Sequence, residues 1–96
     1  MSYNTPKEGW QDFILLCTKI KSADEFSQLF DLFFTIEEKE TLASRFQIIK
    51  AILAEASTQR EIAETHKVSI AQITRGSNAM KIISPEMRAR LKKLLN

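Results

Sequence analysis

The chain has 96 residues and 44% hydrophobic content, with two glycines, two prolines, one cysteine and one histidine, which suits one small ordered domain over 1–96 and leaves no room for a second core. Cys17 has no partner for an internal disulfide and His66 no second imidazole for a metal site. With a polar N-terminus that lacks a signal pattern, and apolar runs well short of the ~20 residues that span a bilayer, this predicts a reducing, cytoplasmic setting without membrane contact. The net charge of +2 is uneven: residues 1–58 hold six basic and nine acidic side chains, residues 59–96 eight basic and three acidic. A basic C-terminal half suits a phosphate-binding surface and equally a solvated cationic face.

Capping residues mark the helix starts, and six helices are predicted. The first spans roughly 7–21, with Trp10, Phe13, Ile14, Cys17 and Ile20 on one face. A hydroxyl followed three residues later by a carboxylate or amide, the capping box, then recurs at Ser22–Glu25, Thr35–Glu38, Thr58–Glu61 and Ser69–Gln72. Ser84-Pro85-Glu86 marks a further start, with proline where its missing N–H costs nothing. The second helix, about 23–33 and running into Phe34, is apolar almost all round: Phe26, Leu29, Phe30, Leu32, Phe33 and Phe34. So small a domain cannot bury such a helix on every side, so it predicts an interlocked dimer; a tight monomeric bundle is the alternative. The third, about 36–55, carries a stripe of Leu42, Phe46, Ile49, Ile52 and Leu53 and at roughly 30 Å can serve as a strut. The last, about 85–95, is predicted to bury Met87, Leu91, Leu94 and Leu95 and expose Arg88, Arg90, Lys92 and Lys93.

Between them lies the segment that bears on function. Two capped helices near 59–81 are separated by about three residues, His66 to Val68, the spacing of a helix-turn-helix. Ala63 is small where the pair must cross, and Ile62, Val68 and Ile73 are apolar where it must face its own core. Lys67 takes the turn position that commonly holds glycine in a left-handed conformation. Ser69, Ile70, Ala71 and Gln72 begin the second helix, the end that enters the major groove. Ile70 and Ala71 suit a thymine methyl and Gln72 an adenine edge. Gln59, Arg60, Thr74 and Lys81, with Lys67, suit phosphate contacts, which position without reading sequence. The other reading of the segment is a plain helical hairpin with a polar outer face.

Ile73-Thr74-Arg75-Gly76-Ser77-Asn78, preceded by Thr58-Gln59-Arg60-Glu61, resembles the signature of the Trp repressor family, and the likeness extends from about Leu32 to Arg88. The resemblance implies an all-α, six-helix intertwined homodimer with a helix-turn-helix head, repressing tryptophan-metabolism genes by binding double-stranded operator DNA when L-tryptophan is bound as corepressor. It implies that Arg45 and Arg75 sandwich the indole, that Arg75 also holds the ligand carboxylate, and that Gly76 lets the ring approach the backbone. Thr35, with the backbone around Leu32 and Phe34, is implied to receive the ligand's carboxylate and ammonium groups from the partner chain. Ala79 stands where the family pattern has a serine, and Gln72 where it has a threonine. The chemistry is coherent, because guanidinium planes stack on aromatic rings and attract carboxylates.

No Ser–His–Asp constellation, glycine-rich phosphate loop or apolar carboxylate pair occurs, so no catalytic residue, metal or cofactor is predicted. Two other readings stand beside the repressor: a helix-turn-helix regulator not gated by tryptophan, and a helical protein-interaction module docking through the second helix.

Overall fold

Short polar residues placed just ahead of apolar runs set the architecture. The structure, a computed structural model, describes residues 5–95. These form six α-helices and no strand: α1 Pro6–Cys17, α2 Ala23–Phe33, α3 Ile36–Ala54, α4 Gln59–His66, α5 Ile70–Ala79 and α6 Pro85–Leu95. The boxes at Thr35, Thr58 and Ser69 close in both directions. At Ser22 only the hydroxyl serves the helix, accepting from Glu25 N–H at 3.1 Å, while the Glu25 carboxylate accepts back from that hydroxyl. A further box, unanticipated, joins Thr5 and Glu8 ahead of Pro6.

The first helix is shorter than its apolar pattern predicts. It ends at Cys17 because Thr18 Oγ1 donates to the Leu15 carbonyl at 2.6 Å and the following amides bond three residues back, tightening the last turn. α3 stops at Ala54, where Glu55 adopts a positive φ of 54°.

Two compact units meet along the chain after Lys39. The first is an aromatic cluster: Phe13 lies 5.4 Å from Phe33 and 6.2 Å from Phe34 between ring centres, and Phe30 and Phe34 meet edge to face at 5.3 Å. An ion pair joins Lys39 and Asp31. No residue of α1 or α2 is fully buried. The second unit has an apolar core of Ile48, Ile62 and Ile73, with Ala51, Ile52, Ala63 and Val68 packed against it.

The buried face of α3 differs from the predicted stripe. Ile48 and Leu53 are its buried residues, whereas Leu42 and Phe46 are about half exposed. In α6 none of the four predicted apolar residues is fully buried, and Leu94 is 64% exposed. A chain of this size supplies too little cover for every apolar face it carries.

Candidate nucleic-acid face and an adjoining cavity

The α4–α5 pair is built as its spacing predicts. Thr58 Oγ1 accepts from Glu61 N–H at 3.2 Å and the Glu61 carboxylate accepts from Thr58 N–H at 3.1 Å, fixing where α4 begins. Hydrogen bonding of the carboxylate by Thr58, from its backbone N–H first and its hydroxyl second, holds the Glu61 carboxyl below the usual glutamate range. α4 ends where Lys67 turns left-handed, at φ 53° and ψ 45°. The amide of Val68 then bonds back to the Ala63 carbonyl at 3.1 Å, which closes the helix end. A glycine would reach this conformation freely; lysine carries a cost of roughly 1–2 kcal/mol, balanced by the caps on both sides and by Ile62 and Ile73 buried beneath.

Gln59, Arg60, Lys67, Ser69, Ile70, Ala71, Gln72 and Thr74 are all exposed, as is Lys81 after α5. Ile70 keeps 51% of its surface, a high value for an apolar residue in the first turn of a helix whose opposite side is sealed. Lys81 lies apart from the helix start, in a cleft shared with Met80, Pro85, Arg88 and Lys92. There Arg88 Nη2 donates to the Met80 carbonyl at 2.7 Å, tying α6 to the end of α5.

Gln72 is less free than an exposed amide suggests. Its Oε1 accepts from Ser69 N–H at 3.0 Å while its own N–H donates to Ser69 Oγ at 3.1 Å. A two-point contact with an adenine edge needs both the oxygen and the nitrogen of the amide, so such readout competes with the cap of α5.

α3 and α5 enclose a cavity of roughly 90 Å³ lined by Thr41, Ser44, Arg45, Ile48, Gln72 and Arg75. Arg45 and Arg75 are thus brought together from separate helices. Thr41, Ser44 and Ile48 were not singled out in the sequence, yet with Arg45 they stand at the i, i+3, i+4, i+7 spacing of one helical face, and that signal was available. Gly76 does not line this cavity. It is buried against α3, where an added Cβ would stand 3.1 Å from Ile48 Cγ2 and 3.6 Å from Ile52 Cδ1. Its missing side chain is used for close helix packing.

Leu32, Phe34 and Thr35 belong to the first unit. Leu32 is 76% exposed, Phe34 is half-buried among phenylalanines, and Thr35 caps α3 by accepting from Glu38 N–H at 3.1 Å. Ala79 is half-buried at the last residue of α5. Among the described residues no cluster of His, Cys, Asp and Glu could hold a metal, and no helix is long and apolar enough to cross a membrane. Cys17 is a free, half-buried thiol; His66 is half-buried beside Gln47, Lys50, Ala51 and Ala54.

Residues 8–95 match the family described as Trp repressor protein. The chain is 53% identical over 94 residues to a Trp operon repressor homolog of Chlamydia caviae, spanning 98% of this chain and 93% of the relative. It is 48% identical over 90 residues to a homolog of the same name from Chlamydia trachomatis serovar D, spanning 94% and 96%. To one from Vibrio vulnificus it is 36% identical over 95 residues, spanning 99% and 93%.

Proposed function

This chain belongs to the Trp repressor family, whose members are DNA-binding regulators and not enzymes, and from that premise we propose that it represses transcription as a homodimer that binds operator DNA once L-tryptophan occupies the cavity between α3 and α5. The observation that carries this reading is the convergence of Arg45 and Arg75 on that cavity. Two guanidinium planes can sandwich an indole ring, and Arg75 can also attract the carboxylate. At roughly 90 Å³ the cavity is smaller than the ~300 Å³ at which ligand pockets usually begin. An amino acid would therefore be covered further by residues 32–35 of a second copy, where the Thr35 hydroxyl still has its own proton to donate.

Filling the cavity acts on DNA binding only through the difference in affinity between the productive and unproductive placements of α4 and α5. In the productive one, Ile70 and Ala71 meet base edges in the major groove and Gln59, Arg60, Lys67, Thr74 and Lys81 contact phosphates. The basic balance of residues 59–96 supports that division of labour. The expected location is the cytoplasm, where the operator is.

Calorimetric titration with L-tryptophan, with L-phenylalanine as control, tests the reading. Saturable binding at one site per chain is expected, weakened about tenfold or more in Arg75→Ala by loss of a charged hydrogen bond worth about 1.5–3 kcal/mol. Ala79 favours a second reading, a regulator with a different trigger, because it offers no hydroxyl to a ligand ammonium. Salt-sensitive operator binding with no heat from L-tryptophan would select it.

A further inference from the structure

One side chain belongs to both halves of the proposed switch. Gln72 is the third residue of α5, and its Oε1 holds Ser69 N–H at 3.0 Å to close the cap that starts the helix. The same residue is a wall of the cavity beside Arg45 and Arg75. Ser69, the other half of the cap, does not line the cavity. The residues between them, Ile70 and Ala71, are exposed at the start of the helix, as Ser69 and Gln72 are.

We propose that Gln72 is a positioning residue that couples occupancy of the cavity to the first turn of α5 through the Ser69–Gln72 capping box. The inference rests on the cavity being the effector site. An occupant that restricts the Gln72 side chain removes rotamers in which the amide leaves Ser69, so the box closes more often. A closed box in turn presents the occupant with a wall already in place. Each event then favours the other by the same factor, as linkage requires. Ile70 and Ala71 are held in register for the groove by the same closure. With threonine at this position the shorter side chain would not reach across the cap in this way, so the coupling is a feature of this chain's glutamine.

Ser69→Ala is the discriminating variant, because it removes the hydroxyl that accepts Gln72 N–H without touching the cavity. L-tryptophan affinity by calorimetry and amide exchange at Ser69 and Gln72 are measured on the full chain for wild type, Ser69→Ala, Gln72→Ala, the double variant and Ser69→Thr. A cap of this kind contributes about 0.5–2 kcal/mol, which passed in full to the ligand is roughly a twofold to thirtyfold effect. The coupling predicts that Ser69→Ala and Gln72→Ala each lower affinity within that range and that the double variant is no weaker than the worse single one. It further predicts that Ser69→Thr, which keeps a hydroxyl, restores affinity, and that L-tryptophan slows exchange at Gln72 N–H in wild type and Ser69→Thr but not in the other variants. Unchanged affinity in Ser69→Ala, with or without loss in Gln72→Ala, overturns the coupling and leaves the effector site standing. Absence of L-tryptophan binding in wild type overturns the effector site and the coupling with it.

Discussion

At the scale of single residues, Glu61 shows how one carboxylate sets a helix start and makes it sensitive to acid. Its oxygen accepts from Thr58 N–H, and its depressed pKa follows from that bond and the Thr58 hydroxyl. A group whose folded pKa lies below its unfolded value contributes stability that is fully present above the unfolded value, near ~4.3, and is lost as pH falls through the lower folded one. Acid should therefore release the start of α4 before the apolar core gives way. In Glu61→Gln the amide oxygen still accepts from Thr58 but does not titrate. The variant's stability, followed by circular dichroism from pH 6 to pH 3, should fall less steeply than that of wild type. Parallel curves would remove Glu61 from the acid response. Lys67 carries the opposite lesson, since an unfavourable left-handed lysine persists where both neighbouring helices are capped and anchored.

Between elements, the close approach of α5 to α3 depends on Gly76. Alanine there gains about 1 kcal/mol of helix propensity, but its Cβ would stand 3.1 Å from Ile48 Cγ2. Ile48 is 3% exposed and β-branched, and Ile73 beside it is wholly buried, so Ile48 can yield only into the small cavity that it lines with Arg45 and Arg75. Overpacking of this kind costs about 1–3 kcal/mol. Gly76→Ala should therefore destabilise by about 1 kcal/mol net and lower the melting temperature by roughly 4–8 °C. A higher melting temperature would mean that Ile48 moves aside easily and that the glycine serves another purpose. The same approach brings Arg75 towards Arg45, so the variant should also weaken whatever the cavity holds.

For the whole molecule, the balance of buried and exposed apolar surface is the governing fact. Among the described residues five large apolar side chains are buried, while Trp10, Leu32, Phe33, Ile36 and Leu94 are each more than half exposed. A stable 96-residue protein would not leave so much apolar surface in water, which supports the proposed second copy as cover. If dimerisation and folding are linked, the melting temperature should rise with protein concentration. Phe33→Lys should shift sedimentation from dimer to monomer, or abolish folding at micromolar concentration. A concentration-independent transition together with a monomeric wild type would refute the dimer. Among the described residues eight other large apolar side chains are exposed, Ile82 at 85% the most, and they show how far a single copy falls short.

Local chemistry was sufficient for the element order. Hydroxyl and carboxylate residues three apart satisfy backbone donors within one turn, so helix starts at Ser22, Thr35, Thr58, Ser69 and Ser84 were legible without any tertiary contact, as was the left-handed turn at Lys67. The Thr5 start follows the same rule, with Glu8 three residues on. Helix ends were less legible, because α1 stops on a threonine hydroxyl bond and α3 on a positive φ, neither of which has a strong residue signature here. Only the tertiary structure decided that Ile48 faces the core while Leu42 and Phe46 do not. Apolar periodicity marks a stripe, but which part of the stripe is covered depends on where α5 lies. The pairing of Arg45 with Arg75 was likewise implied by family likeness and not by spacing, since 30 positions separate them and only packing through Gly76 brings their helices together. The double role of Gln72 was invisible for the same reason: its cap is a three-residue relation, and its place in the cavity exists only once α3 is alongside.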